Sequence, residues 1–70
     1  MNHVAKLVEV VGTSDVSIED AINGAIERAA ETLDNLQWFQ VIETRGNITD
    51  QKVDRYQVIL KVAFGLNETR

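Results

Sequence analysis

The most constraining feature of this 70-residue sequence is a single stretch in which apolar residues recur with helical spacing. Its members are Ile18, Ala21, Ile22, Ala25, Ile26, Ala29, Leu33 and Leu36. Ser17 precedes this stripe and Asp20 follows three residues later, a variant of the capping box that begins many helices. The pattern therefore predicts one amphipathic helix that is capped by Ser17 and ends within residues 33–36, with Asn35 in a left-handed conformation.

The rest of the chain is predicted to be extended. Residues 4–11 are rich in β-branched side chains and end at the turn-forming cluster "GTSD". Residues 37–47 and 51–65 predict two further strands, joined around "GNITDQ". A right-handed crossover through the helix makes the first two strands parallel, and the third strand is expected between them, antiparallel to both. The predicted fold is one α+β domain over 1–70, of β-α-β-β order, with the sheet wrapped around one helix.

One helix can cover only one face of this sheet. Strict alternation assigns to the helix side Tyr56, Val58, Leu60, Val62 and Phe64 of the last strand, with Phe39 and Val41 of the preceding one. The other face receives Trp38, Gln40, Ile42, Thr44, Val53, Arg55, Gln57, Ile59, Lys61 and Ala63. This second face is too apolar for open solvent and too polar for a monomer core, which indicates an interaction surface.

A chain of this length needs more than its own core. Below roughly 70–80 residues one hydrophobic core rarely supplies more than about 3–5 kcal/mol. The sequence has no cysteine, and its one histidine, His3, is expected to be exposed. Neither a disulfide nor a Cys/His zinc site is available, so we expect stabilisation by self-association.

Charge and motifs argue against several functional classes. The net charge of −4 disfavours binding to nucleic acid phosphates. No apolar run is long enough for a membrane span, and "MNHVAK" lacks the pattern of a signal peptide, so we expect a cytoplasmic protein. The sequence has no nucleophile–base constellation and no glycine-rich phosphate loop, and we expect a protein that is not an enzyme.

Three side chains are candidates for ligand contact. Trp38 can stack on an aromatic ligand, although an ordinary interface or core tryptophan is the commoner interpretation. Gln57 presents donors and an acceptor suited to the edge of a heterocycle, against the simpler alternative of a solvated strand glutamine. Arg45, beside Gly46, can pair with a phosphate or remain a solvated charge. The residues alone leave these alternatives open.

Four stretches, "VGTS", "DAINGAIERAAETL", "WFQVIETRGNI" and "YQVILKVAFGL", in this order and spacing, resemble the dodecins over about residues 4–66. The resemblance implies a hollow homododecamer that stores and photoprotects flavins: FMN, riboflavin or a breakdown product such as lumichrome. It implies flavin pairs stacked between Trp38 residues of neighbouring subunits, with Gln57 hydrogen-bonded to the isoalloxazine edge. Arg45 matches a position near the flavin site, where it would meet the FMN phosphate.

Some dodecins also bind coenzyme A through basic residues. In this sequence Gly65 occupies a position where a basic residue would favour coenzyme A binding, which puts that binding in doubt. Lys6 remains available as a basic residue for it. Two alternatives to flavin storage stay open. A purely structural protein would use the second sheet face only for assembly, with incidental ligand binding. A flavin-dependent oxidoreductase is the weakest, because no general acid or base is identifiable.

Overall fold

The computed structural model describes residues 3–66, so both ends of the predicted 1–70 domain lie outside the described residues. The chain has the predicted β-α-β-β order: β1 (Ala5–Ser14), α1 (Ile18–Ala30), β2 (Leu36–Thr49) and β3 (Lys52–Gly65). β3 lies between β1 and β2 and is antiparallel to both. The predicted fold and strand order are therefore confirmed.

Two serines connect β1 to α1. Ser17 caps the helix as predicted, because its Oγ accepts a hydrogen bond from the backbone N–H of Asp20 at 2.9 Å. Asp20 does not return the bond as a capping box would; its carboxylate accepts from the Oγ of Ser14 at 2.7 Å. The same Ser14 Oγ accepts from the N–H groups of Val16 and Ser17 at 2.9 and 3.3 Å. Ser14, the last residue of β1 and only 8% exposed, thus ties the strand to the helix.

We expect Ser14→Ala to lower the free energy of unfolding by about 2 kcal/mol. The substitution removes a hydroxyl that donates a hydrogen bond to a carboxylate and accepts hydrogen bonds from two N–H groups. Ser17→Ala removes one exposed cap bond and is expected to cost about 1 kcal/mol. Urea unfolding of both variants at equal protein concentration measures the difference. A larger loss for Ser17→Ala than for Ser14→Ala would contradict this account of the turn.

The helix ends earlier than predicted. Its last residue is Ala30, and Leu33 lies in the connection to β2 that follows. Asn35 has the predicted left-handed backbone, with φ 62°, but lies directly before β2 and not at the helix end. Its carbonyl accepts a hydrogen bond from Gly65 N–H at 3.0 Å. Asn35 therefore pairs with the end of β3 and does not continue the helix. As a result, Leu36 packs into the core as the first residue of β2 and not as part of α1.

The turn between β2 and β3 is also tighter than predicted. β2 continues to Thr49 and β3 begins at Lys52, so the loop consists of Asp50 and Gln51. Both have positive φ, 54° and 65°, as the two central residues of a type I′ hairpin turn do. Gly46, predicted beside the loop, lies well inside β2.

The core lies between α1 and the C-terminal half of β3. Val58, Leu60 and Val62 are at most 1% exposed and pack against Ala21 and Ala25. The helix side predicted for these three residues of β3 is therefore confirmed. The helix presents alanines to the sheet, and this lets its backbone approach the strands closely.

β2 contributes less to the core than predicted. Phe39 and Val41 pair with Val62 and Leu60 and so lie on the helix side, as predicted. They remain 46% and 39% exposed, however, because α1 packs across β1 and β3. Leu36 is the one residue of β2 that packs against the buried core.

The sheet is much longer than the helix that covers it. The 13 residues of α1 span about 20 Å, whereas the 14 residues of β2 or β3 span about 46 Å. The molecule measures 54 × 20 × 13 Å, and its radius of gyration is 14.6 Å, against about 11 Å for a compact domain of this length. Much of the sheet is therefore left without cover. Within residues 3–66 no helix has the length and hydrophobicity to span a bilayer.

Candidate functional site

The face of the sheet opposite α1, here called the outer face, carries the three candidate residues. Cross-strand pairing assigns to it Leu7, Glu9, Val11 and Thr13 of β1, Trp38, Gln40, Glu43 and Arg45 of β2, and Gln57, Ile59, Lys61 and Ala63 of β3. All of these except Ala63 are at least partly exposed. The predicted second face, mixed in polarity and uncovered by the helix, is present.

A β-bulge at the start of β2 turns Trp38 outward. The pairing with β3 shifts by one residue between Leu36 and Trp38, so Leu36 pairs with Phe64 and Trp38 with Ala63. In a regular strand Leu36 and Trp38 would share a face, because side chains alternate. The bulge lets Leu36 pack into the core while Trp38, 53% exposed, lies on the outer face.

A second bulge brings Arg45 beside Gln57. Unbroken alternation would place Arg45 on the helix side with Phe39, away from Gln57. The pairing shifts again at Ile42, and beyond it Arg45 pairs directly with Gln57. Residues directly opposite in an antiparallel pair have Cβ atoms about 4.5–5.5 Å apart on one face. The exposed guanidinium of Arg45 and the half-buried carboxamide of Gln57 are therefore neighbours.

The bulges overturn two positions predicted by alternation. Thr44 was predicted on the outer face, but it pairs with the fully buried Val58 and so lies on the helix side. A third shift, near the turn, leaves Asp54 without a partner in the ladder. Val53 consequently does not share the face of Arg55, as had been predicted. Both errors come from one extra residue in a strand, which a period-two pattern does not reveal.

The three candidates do not meet within one chain. Trp38 pairs with Ala63, which is six residues along β3 from Gln57. At about 3.3 Å per residue, the indole and the Arg45–Gln57 pair are separated by about 20 Å. No single flat heteroaromatic ring system covers that distance. A flat ring system that contacts both Trp38 and Gln57 must therefore lie between two chains.

β2 is an edge strand, so Trp38, besides lying on the outer face, also borders an open groove of about 630 Å³ between α1 and the start of β2, here called the Trp38 groove. The apolar residues that line it are Ile22, Ile26, Leu36, Phe39 and Val62. Glu19, Asn23 and Gln37 add polar groups to the lining. The half-exposed indole thus lies beside an apolar surface that is large enough to accommodate a further molecule or a neighbouring chain.

At position 65 an added side chain would meet the ends of two flexible side chains. A Cβ at Gly65 would collide with the side-chain amide of Asn35 and lie 2.7 Å from Nε2 of Gln37. Lys6 pairs with Phe64, one residue away. The doubt about coenzyme A stays a prediction. His3 is exposed, as predicted, and no group of three His, Asp or Glu side chains within residues 3–66 is placed to hold a metal ion.

Comparisons with known proteins agree with this architecture. The sequence model of the Dodecin family matches residues 4–67. A dodecin of Thermus thermophilus is 51% identical over 69 residues, which cover 99% of this chain and all of the relative. The solved structure of dodecin from Streptomyces davaonensis superposes with a TM-score of 0.92 at 43% identity, covering 97% of this chain and all of that one. A calcium dodecin of Mycobacterium tuberculosis is 31% identical over 61 residues, 87% of this chain and 86% of the relative.

These matches confirm the resemblance drawn from the sequence. They extend over nearly the whole chain, in sequence and in backbone structure. The chain belongs to the dodecin family.

Proposed function

We propose that this protein stores and photoprotects flavins, FMN or riboflavin, as a homododecamer whose flavins are held between neighbouring chains. The observation that carries the proposal is a half-exposed tryptophan on the outer face, about 20 Å along the sheet from a carboxamide–guanidinium pair. Dodecins are small binding proteins, which favours a binding role over turnover of a substrate.

Trp38 supplies the stacking surface. Trp38 is 53% exposed although it is the largest aromatic residue in the chain, and a large apolar surface is seldom left open without a partner. Stacking of a heteroaromatic base on an aromatic side chain contributes about 1–3 kcal/mol. A tryptophan stacked on a flavin also quenches the excited flavin by rapid electron transfer, which protects the protein and the ligand from photochemistry.

Arg45 and Gln57 supply the polar contacts. A carboxamide has two donors and an acceptor and so complements the edge of the isoalloxazine. A guanidinium binds phosphate through charge-assisted hydrogen bonds. Because Trp38 of the same chain is about 20 Å away, the chain that stacks a given flavin differs from the chain that contacts its polar edge. Binding and assembly are therefore coupled.

The outer face and the shape of the chain support self-association. Leu7 and Val11 of β1 are 45% and 59% exposed on the same face as Trp38. A thin, elongated chain with so much exposed apolar surface is poorly suited to remain a monomer. A twofold contact that pairs two Trp38 residues, combined with a second contact around a threefold axis, can close a particle of twelve chains.

Titration of FMN with the ligand-free protein tests the proposal. We expect flavin fluorescence to fall on binding and to reach a plateau at about one flavin per chain, since each chain contributes one tryptophan. A purely structural protein, which would use the outer face for assembly alone, predicts unchanged fluorescence. Unchanged FMN and riboflavin fluorescence in the presence of an assembled particle would favour that alternative and contradict the proposal.

Arg45→Gln is expected to weaken FMN binding about tenfold, which corresponds to about 1.4 kcal/mol for one charge-assisted contact with phosphate at an exposed site. Riboflavin lacks the phosphate, so its affinity is expected to change little. Arg55→Gln is a matched control, because Arg55 lies two residues from Gln57 along β3 and is also exposed. Calorimetric titration of both flavins measures the effect. Equal losses for the two flavins would contradict the assignment of Arg45 to the phosphate.

A further inference from the structure

The middle of α1 contains the pair Asn23–Gly24, the one place in the sequence where glycine follows asparagine. Both residues are exposed, and a Cβ added to Gly24 would meet nothing within 4 Å in the chain. Packing within the chain therefore does not require a glycine at this position. A glycine does, however, leave the backbone nitrogen after an asparagine unobstructed, because it has no Cβ. This arrangement favours a reaction between the asparagine side chain and the backbone.

That reaction is deamidation. The backbone nitrogen of Gly24 attacks Cγ of Asn23, the bond between Cγ and Nδ2 breaks, and ammonia leaves with the proton of the Gly24 N–H group. The product is a five-membered succinimide ring. Water then adds to one of the two ring carbonyl groups and opens the ring, which leaves an aspartate or an isoaspartate in place of the asparagine. Water is the only co-reactant.

The folded helix opposes the first step. In an α-helix each backbone N–H group is donated to the carbonyl four residues earlier, so the N–H of Gly24 is bonded to the carbonyl of Asp20. The attacking nitrogen reaches Cγ of Asn23 only after the backbone rotates out of the helical conformation. Ala21 and Ala25, on either side of the pair, are buried in the core. Opening the helix at this point therefore also disrupts core contacts.

We propose that Asn23 is a modification site that is closed in the folded chain and reacts when α1 opens. The rate of deamidation in the folded protein then equals the rate in the open chain multiplied by the fraction of time that α1 is open. The modification consequently falls on chains that have unfolded, and it spares chains that remain folded.

The products differ in what they do to the helix. An aspartate adds a negative charge four residues after Glu19, with which Asn23 lines the Trp38 groove, and like charges at this spacing weaken a helix slightly. An isoaspartate instead lengthens the backbone by one methylene group. Ala25 then no longer lies in line with Ala21 against β3. A chain with isoaspartate at this position is therefore unable to rebuild α1, and its unfolding becomes irreversible.

Incubation of the unmodified protein over a series of urea concentrations, in mildly alkaline buffer, tests the proposal. Mass spectrometry of the peptide that contains Asn23 gives the rate of deamidation, and far-UV circular dichroism gives the unfolded fraction. We expect the rate to follow the unfolded fraction. Without urea it should be at least about 100-fold lower than in the unfolded chain, which corresponds to an opening free energy of about 2.8 kcal/mol.

The chain contains its own controls. Asn35 and Asn47 are exposed, but a leucine and an isoleucine follow them, so both should react much more slowly than Asn23 in the unfolded chain. Gly24→Ala should slow the reaction at Asn23 in concentrated urea, where neither protein has a helix. A folded-state rate within about tenfold of the unfolded-state rate, with α1 intact, would overturn the proposal. Preferential reaction at Asn35 or Asn47 in urea would also overturn it.

Removal of the urea tests the consequence for folding. Chains that carry isoaspartate should remain unfolded, whereas unmodified chains from the same sample should refold. Asn23→Asp is the matched variant, because it adds the charge without lengthening the backbone, and we expect it to refold. Isoaspartate chains that refold as completely as unmodified chains, or failure of Asn23→Asp to refold, would overturn the assignment of irreversibility to the lengthened backbone.

Discussion

Replacing Trp38 with alanine is expected to weaken FMN binding about 10- to 100-fold and to leave the bound flavin fluorescent. The affinity estimate follows from a loss of about 1–3 kcal/mol when a stacking aromatic is truncated. The fluorescence change follows because the indole is the proposed electron donor in quenching. Trp38 is half exposed and lies outside the buried core, so the folded chain should tolerate the change. Fluorescence titration and calorimetry on the same samples measure the two effects separately.

Trp38→Phe is the informative control for that experiment. Phenylalanine keeps an aromatic ring for stacking but is a much poorer electron donor than tryptophan. We therefore expect a smaller loss of affinity than for alanine together with a clear loss of quenching. The alanine variant decides the assignment. If Trp38→Ala binds FMN as tightly as the unmodified protein and quenches its fluorescence as strongly, the indole is not the stacking surface.

Gly12→Ala is expected to lower the free energy of unfolding by about 3 kcal/mol, the upper end of the usual cost of overpacking. Gly12 is buried in β1, where the backbone of α1 crosses the sheet. An added Cβ would collide with the carbonyl oxygen of Ala21 and lie 3.0 Å from the Cβ of Ala25. A backbone carbonyl cannot move aside as a flexible side chain can. Since a core of this size supplies only about 3–5 kcal/mol, the variant should be largely unfolded or unassembled.

Gly24→Ala provides a matched change from glycine to alanine. Gly24 lies within α1, and a Cβ added there would meet nothing within 4 Å in the chain. The substitution is expected to stabilise the helix by up to about 1 kcal/mol, because alanine is the better helix former. Thermal unfolding of both variants at equal concentration tests the comparison. Equal stability of the two variants would mean that α1 does not pack against β1 as closely as described.

The features that depend on local pattern could be predicted from the sequence. The apolar stripe and the Ser17 cap predict the helix, and the uninterrupted alternation of Val58, Leu60 and Val62 predicts the buried face of β3. The strand order follows from crossover handedness and from the strength of that face. Features that depend on pairing between strands were predicted less well. The helix end, the two-residue turn at Asp50 and the bulges in β2 are all decided by the register with β3.

In the candidate site, too, local pattern predicted the faces of single residues, whereas features that depend on strand pairing were not predicted. Alternation placed Trp38 on the correct face and Phe39 on the helix side, but it did not show that Phe39 would remain half exposed. The proximity of Arg45 and Gln57 depends on the bulge at Ile42, for which the sequence has no clear signal. Nor does the sequence pattern show that this pair lies about 20 Å from the tryptophan of its own chain. That distance is what makes a second chain part of the proposed site.

Native mass spectrometry of the protein saturated with FMN tests this central claim most directly, because one spectrum counts chains and flavins together. The account predicts a particle of twelve 7.8 kDa chains that carries about twelve flavins, with no flavin on monomers released from it. A monomer that binds FMN as tightly as the assembly would contradict the claim that the site is completed by a neighbouring chain. A twelve-chain particle without flavin would contradict the proposed storage function.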